Sequence, residues 1–205
     1  MINYARESWQ KLGLALLEHL EMVGITLVIA LLIAALLTVA AMYSKTLSNL
    51  LITLFSIIYA VPSLALFAIL IPLTGLGRTT AIIVLVLYSQ YILLRNFIAG
   101  LNEVNPSVIE AATGIGMTTL QILYKIRLPL SLKALFTGIR LMIVSTVGIA
   151  TIAAFINAGG LGVILYEGLR SMNLNKILWG SLLSAGLALG LNGLLAKLEK
   201  TLTDR

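Results

Sequence analysis

Arg95 and Arg140 stand inside or at the edge of long apolar runs, and Tyr59, Tyr88 and Tyr91 stand inside such runs. A guanidinium within a hydrocarbon span is costly and faces protein or water. An aromatic ring face attracts cations. Tyr88 and Tyr91 are three residues apart and share one helix face. The residues that bond-making chemistry would need are scarce. The chain has one histidine, His19, one aspartate, Asp204, and no cysteine. Disulfides, thiolate sites, triads and metal-ligand clusters are thereby excluded as readings. The segment GLGRTT at Gly75–Thr80 lacks the lysine of a phosphate loop.

The elements that must position these residues are set by composition. Of 205 residues, 60% are hydrophobic and 11% charged, with mean hydropathy +1.04. Soluble domains carry about 25% charged residues, so the chain has too little charge to coat a surface in water. Backbone groups left unpaired in lipid cost several kcal/mol each, which makes helices the expected element. The alternation of a membrane barrel is absent.

Residues 1–21 place Trp9, Leu12, Leu16 and Leu20 at helical spacing among charges, and are expected to form an amphipathic helix at the interface. Their acids argue against a cleavable signal peptide. A membrane domain is expected over 22–205. Its spans fall at about 22–42, 50–72, 79–94, 134–156 and 177–196, each near the length that crosses hydrocarbon. Pro62 is expected to kink the second span, and Arg95 to close the third. Ser56, Ser63, Ser89, Gln90, Ser145, Thr146, Gly180, Ser184 and Gly190 read as contacts between helices.

Five spans put the termini on opposite sides. Lys45, Arg95, Lys125, Arg127, Lys133, Arg140, Lys197, Lys200 and Arg205 lie on the side of the 99–133 loop, nine in all. Arg6, Lys11, Arg78, Arg170 and Lys176 lie on the other, five in all. The excess of basic residues puts the loop and the C-terminus in the cytoplasm and the N-terminus outside. The net charge of +6 is scattered along helix ends without an aromatic-interleaved cluster, so nucleic acid is not an expected partner.

Within that polar loop, Glu110-Ala111-Ala112 is followed after three residues by Gly116, after nine more by Ile126, and then by Leu128-Pro129. Asn105-Pro106-Ser107 is a helix start. Ala111 and Ala112 allow close approach by a partner. Gly114 and Gly116 are expected to break the helix, Thr118–Ile126 to form a second, and Leu128-Pro129 to end it. Two short helices at a bend make a stiff knob.

The spacing in this loop resembles the EAA loop of type I ABC importer permeases. The resemblance runs from about His19 to the C-terminus. EHL at Glu18–Leu20, VPSLALFAILIPLTGLG at Val61–Gly77, YSQYILLRN at Tyr88–Asn96, GIGMT at Gly114–Thr118 and FINAGGLG at Phe155–Gly162 are similar to the osmoprotectant permeases of that family, which import glycine betaine, carnitine and choline. The glycine run also occurs in methionine-type permeases. It departs from the family's longer run, with Asn157-Ala158 before it and Val163 after.

The resemblance implies an all-α, five-span permease that is not an enzyme and holds no cofactor. ATP and magnesium would be bound by two cytoplasmic ATPase subunits that grip the knob. A second permease chain, identical or related, and an extracytoplasmic binding protein complete the assembly. It also implies ATPase coupling through Glu110, Ala111, Ala112, Gly114, Gly116, Ile126, Leu128 and Pro129. A quaternary ammonium offers no hydrogen bond, so Tyr59, Tyr88 and Tyr91 become pathway candidates, with packing as their other reading. Pro62, Arg140, Asn157, Gly159, Gly160 and Gly162 are further pathway or gate candidates. Snorkelling or structural pairing is the other reading of Arg140, and an outer turn that of the glycines. Methionine or another small amino acid is the alternative cargo, and an ATPase-independent channel the alternative class.

Overall fold

Helices are the only regular elements among the described residues, 2–203, of the computed structural model. In chain order they are α1 (Ile2–Met42), α2 (Lys45–Ala60), α3 (Ser63–Thr74), α4 (Arg78–Asn102), α5 (Pro106–Gly114), α6 (Thr119–Ile122), α7 (Leu128–Leu130), α8 (Leu132–Ile152), α9 (Leu161–Arg170) and α10 (Leu174–Thr203). A π turn, Leu123–Arg127, joins α6 to α7, and a 3₁₀ turn, Ala153–Ile156, extends α8. Four helices (α1, α4, the extended α8 and α10) are each long and apolar enough to cross a membrane.

The fifth crossing is broken. Pro62 has no N–H and drives Val61 into an extended conformation (φ −67°, ψ 131°). Consequently α2 and α3 meet at 99°. The pair still traverses the bundle. Leu51, Ile52 and Phe55 pack beside Ala41 of α1 and Ile98 near the end of α4. At the far end of the pair, Thr74 shares a 2.6 Å hydrogen bond with Thr80 at the start of α4. A re-entrant loop would return to its own side, and this pair does not.

The broken backbone is satisfied by a side chain. The Tyr88 hydroxyl donates to the Val61 carbonyl at 2.6 Å, pairing a carbonyl that the break removed from the helical ladder.

Helix α4 is the centre of the bundle. It packs on α1, α2, α3 and α8. Small residues set its approach to α8: a Cβ built on Gly100 would come 2.5 Å from the Ala134 Cβ, and one on Gly138 2.7 Å from the Asn96 Cβ. Gln90 Nε2 donates to the Ala30 carbonyl on α1 at 3.2 Å, and the Ser89 hydroxyl meets Thr146 on α8 at 3.4 Å. Both are the expected polar links between helices. Ser56 is not, because it bonds the Thr53 carbonyl of its own helix.

Three boundaries differ from the sequence expectation. Residues 2–21 are continuous with the first span, with one non-helical residue, Ser8 (φ −113°, ψ 15°). Leu12, Ala15 and His19 are buried because α9 packs on them. Second, the helix of the third span does not end at Arg95, since α4 continues two turns beyond it to Asn102. Third, Leu128-Pro129 does not end the second knob helix. The π turn before Pro129 accommodates a ring that would clash with the carbonyl four residues earlier in a regular α-helix, and the chain runs on into α7.

Candidate functional site

The knob begins at Asn105, whose side chain accepts from Ser107 N at 3.0 Å and caps α5. Helix α5 ends where Gly116 takes φ +84°, a conformation that disfavours a Cβ. Thr118 and Gln121 then form a reciprocal capping box that restarts the chain as α6. Gly114 is the last residue of α5 and has open space around it, so Gly116 makes the turn. Glu110 and Ala111 are exposed and Ala112 is buried. Ile126 is half-buried in the π turn, while Leu128 and Pro129 are exposed. Ile115 and Tyr124 are 81% and 62% exposed. Val108 and Leu120 are exposed as well.

Two side chains staple this knob to α4. Arg127 Nη1 donates to the Leu101 carbonyl at 3.0 Å and to Asn102 Oδ1 at 3.1 Å. The Ser131 hydroxyl donates to the Gly100 carbonyl at 2.7 Å. Both satisfy carbonyls of the last turn of α4 that have no helical partner. With the Gly100 and Gly138 crossings, they hold the end of the knob, Arg127 to Ser131, against the adjacent ends of α4 and α8.

The same two helices carry a groove of about 730 Å³. Tyr91, Arg95 and Asn96 come from α4, Thr137, Arg140 and Ser145 from α8, Tyr59 from α2 and Asn192 from α10. Tyr59 lies 5.0 Å from Tyr91 and, edge-on, 5.6 Å from Tyr88. Arg95 Nη1 donates to the Tyr91 hydroxyl at 2.7 Å, with its guanidinium 5.9 Å from the ring centroid. Arg140 is paired: Nε donates to Asn192 Oδ1 at 2.9 Å and Nη1 to Glu199 at 3.1 Å.

Tyr59, Tyr91 and Arg140 are thus brought together as the sequence suggests. Tyr88 is buried beside them and spends its hydroxyl on the Pro62 break. Asn192 and Glu199 were not singled out beforehand. A polar Asn within an otherwise apolar last span was the available signal.

Asn157, Gly159, Gly160 and Gly162 are not brought to the groove. Asn157 adopts the left-handed conformation (φ 63°) after the 3₁₀ turn. Gly159 and Gly160, at φ +83° and +78°, let the chain close on Glu18 and His19 of α1. Glu18 Oε2 accepts from Gly160 N at 2.8 Å. His19 Nδ1 accepts from Leu161 N at 3.3 Å, which leaves Nε2–H to donate to the Val147 carbonyl at 3.2 Å. One neutral imidazole therefore ties α1, α8 and α9 together. A Cβ on Gly162 would lie 2.0 Å from the Thr151 carbonyl oxygen.

Outside this lock, Glu167 bonds Lys11 at 2.6 Å and Lys176 at 3.1 Å. The Lys11 hydrogen bond, with Lys176 adding to it, holds the Glu167 carboxyl below the usual carboxylate range against the opposing effect of burial.

The profile of the family described as "binding-protein-dependent transport system inner membrane component" matches residues 26–204. The chain is 32% identical to the carnitine transport permease protein OpuCB of Listeria monocytogenes, covering all of this chain and 94% of that one. It is also 32% identical to the osmoprotectant import permease protein OsmW of Salmonella typhimurium, over 100% and 97%. It is 35% identical to the choline transport system permease protein OpuBB of Bacillus subtilis, over 91% and 86%. Among solved structures, an inward-facing form of the MetNI methionine ABC transporter superposes with TM-score 0.81 at 22% identity, over 91% of this chain and 93% of that one. That likeness concerns the fold alone.

Proposed function

The chain belongs to the family of binding-protein-dependent transport system inner membrane components, and from that premise we propose that it passes quaternary-ammonium compatible solutes into the cell. Glycine betaine, carnitine and choline are the candidate solutes. A binding protein outside delivers them, and ATP hydrolysis by a separate subunit drives the cycle. The substrate class rests on relatives such as OpuCB, OsmW and OpuBB and on the aromatic groove. The knob faces the cytoplasm and the start of α1 faces outside, following the nine-to-five excess of basic residues.

The observation that carries the mechanism is the stapling of the knob to the helices that line the groove. Two ATPase subunits, one per permease chain of a dimer, receive the exposed Ile115, Leu120 and Tyr124 in their clefts. When ATP closes the motor, the knob moves as a rigid body. Arg127 and Ser131 pass that motion to the last turn of α4. Arg95 lies two turns up the same helix, and Arg140 two turns along α8. The groove walls consequently move with the motor, and the pathway alternates between its two faces. Tyr59 lies three residues before the α2/α3 break, so a change of the 99° angle repositions a groove ring.

Gly116→Val tests this. Valine at φ +84° is strained by about 1–3 kcal/mol, and the turn between α5 and α6 re-forms in another geometry. In liposomes containing the whole transporter, uptake of labelled carnitine should fall at least tenfold while ATP hydrolysis and membrane insertion persist. Uptake at the unmodified rate would remove coupling through this knob.

A further inference from the structure

The groove holds two guanidinium groups in unequal states. Arg140 is matched by Glu199 and Asn192. Arg95 has the Tyr91 hydroxyl and ring face, and no ion pair among the described residues. It lies seven residues before the end of α4, about 10 Å along the axis at 1.5 Å per residue. It is exposed at the groove, where an unpaired guanidinium is served by water or by an anion. One donor is spent on Tyr91, which leaves most of its five N–H groups directed at nothing in the chain.

We infer that Arg95 is a carboxylate receptor, so that the groove favours solutes carrying a carboxylate with their quaternary head over solutes that are cations only. This rests on the functional reading above and narrows it. A carboxylate matches the planar fork of a guanidinium and takes two parallel hydrogen bonds. The quaternary head bears no N–H and is served by an aromatic surface. Tyr59 supplies that surface in the same groove, its ring centroid 5.0 Å from that of Tyr91, and Arg140 is already neutralised by Glu199. A zwitterion the size of glycine betaine or carnitine brings its own counter-charge to Arg95. Choline brings a second positive charge beside a guanidinium that has no counter-charge, and like charges repel. The groove, at about 730 Å³, has room for either solute, so charge rather than size discriminates.

The test uses the complete transporter in liposomes with its binding protein, supplied in turn with labelled carnitine and labelled choline. Arg95→Gln should lower the carnitine-to-choline uptake ratio at least tenfold, and Arg95→Lys should recover part of it. A loss shared equally by both solutes would assign Arg95 to structure and overturn the inference, leaving the transport reading intact. If the unmodified transporter took up neither solute, both readings would fall. A second measurement bypasses the binding protein. Phenylglyoxal labelling of Arg95, located by peptide mass in the purified permease–ATPase complex, should be suppressed by carnitine and untouched by choline at equal concentration. Equal protection by both, or by neither, would overturn the inference.

Discussion

Replacing Gly162 by Ala offers the sharpest check on how α9 is held. Gly162 is the second residue of α9, and alanine is favoured over glycine in a helix by at most about 1 kcal/mol, so helix preference alone predicts stabilisation. The structure reverses the sign. The new Cβ would stand 2.0 Å from the Thr151 carbonyl oxygen, 2.8 Å from its carbon and 2.9 Å from the Ala154 Cβ. Ordinary contact begins at 3.4 Å, so a displacement of 3.4 − 2.0 = 1.4 Å is required between α9 and the end of α8. The nearest atoms are main chain and cannot rotate away. Overpacking of this kind costs about 1–3 kcal/mol, here at the upper end. Subtracting the helix gain leaves about 2 kcal/mol, or about 30-fold in the docking equilibrium of α9.

Thermal unfolding of the purified protein measures the total. Spin labels on cysteines introduced at the exposed Leu14 and Leu169 measure the α1–α9 distance, and a chain without cysteine makes that pair unique. Gly186→Ala in α10 is the control, because nothing lies within 4 Å of its Cβ, and it should be neutral or stabilising. If Gly162→Ala were as stable as the parent with an unchanged label distance, the steric argument would be wrong.

Two further outcomes follow from the geometry. Tyr88→Phe leaves the Val61 carbonyl unpaired at the α2/α3 break and should destabilise the protein by about 1–3 kcal/mol. An unchanged melting temperature would show that another donor, such as water, serves that carbonyl. Beside the start of α10, the Glu167 carboxyl titrates below its unfolded value because Lys11, and then Lys176, bond it. Its stabilisation of α9 is therefore complete above about pH 4.3 and is lost as pH falls through the depressed folded value. Glu167→Gln should flatten the acid limb of the stability profile, and parallel acid limbs in parent and variant would refute the assignment.

How much of this was legible beforehand depends on how local each feature is. The apolar runs and the knob are written in contiguous residues. Hydropathy reports lipid, Gly116 reports a left-handed turn, and Pro62 reports a break. None of these needs a partner from elsewhere in the chain. The size of the break was not legible, because the 99° angle follows from how α2 and α3 pack on α4 and from the Tyr88 bond. Helix α9 went unrecognised as an element. It is too short to be a span, and its burial comes from α1 and α10.

The site divides in the same way. Tyr91, Arg95, Thr137 and Arg140 could be recognised as polar or aromatic residues on apolar helices. Which of them face one groove depends on the rotation of each helix about its axis, and a helix apolar on most sides gives no stripe from which to read that rotation. Glu18 and His19 meet Gly160 and Leu161 across 142 residues, and Arg140 meets Glu199 across 59. By itself the sequence determined the apolar surroundings and the place of the knob, because those are properties of short stretches. Only the tertiary structure decided that Arg140 is neutralised while Arg95 is not, since a charge's partner is chosen by proximity in space.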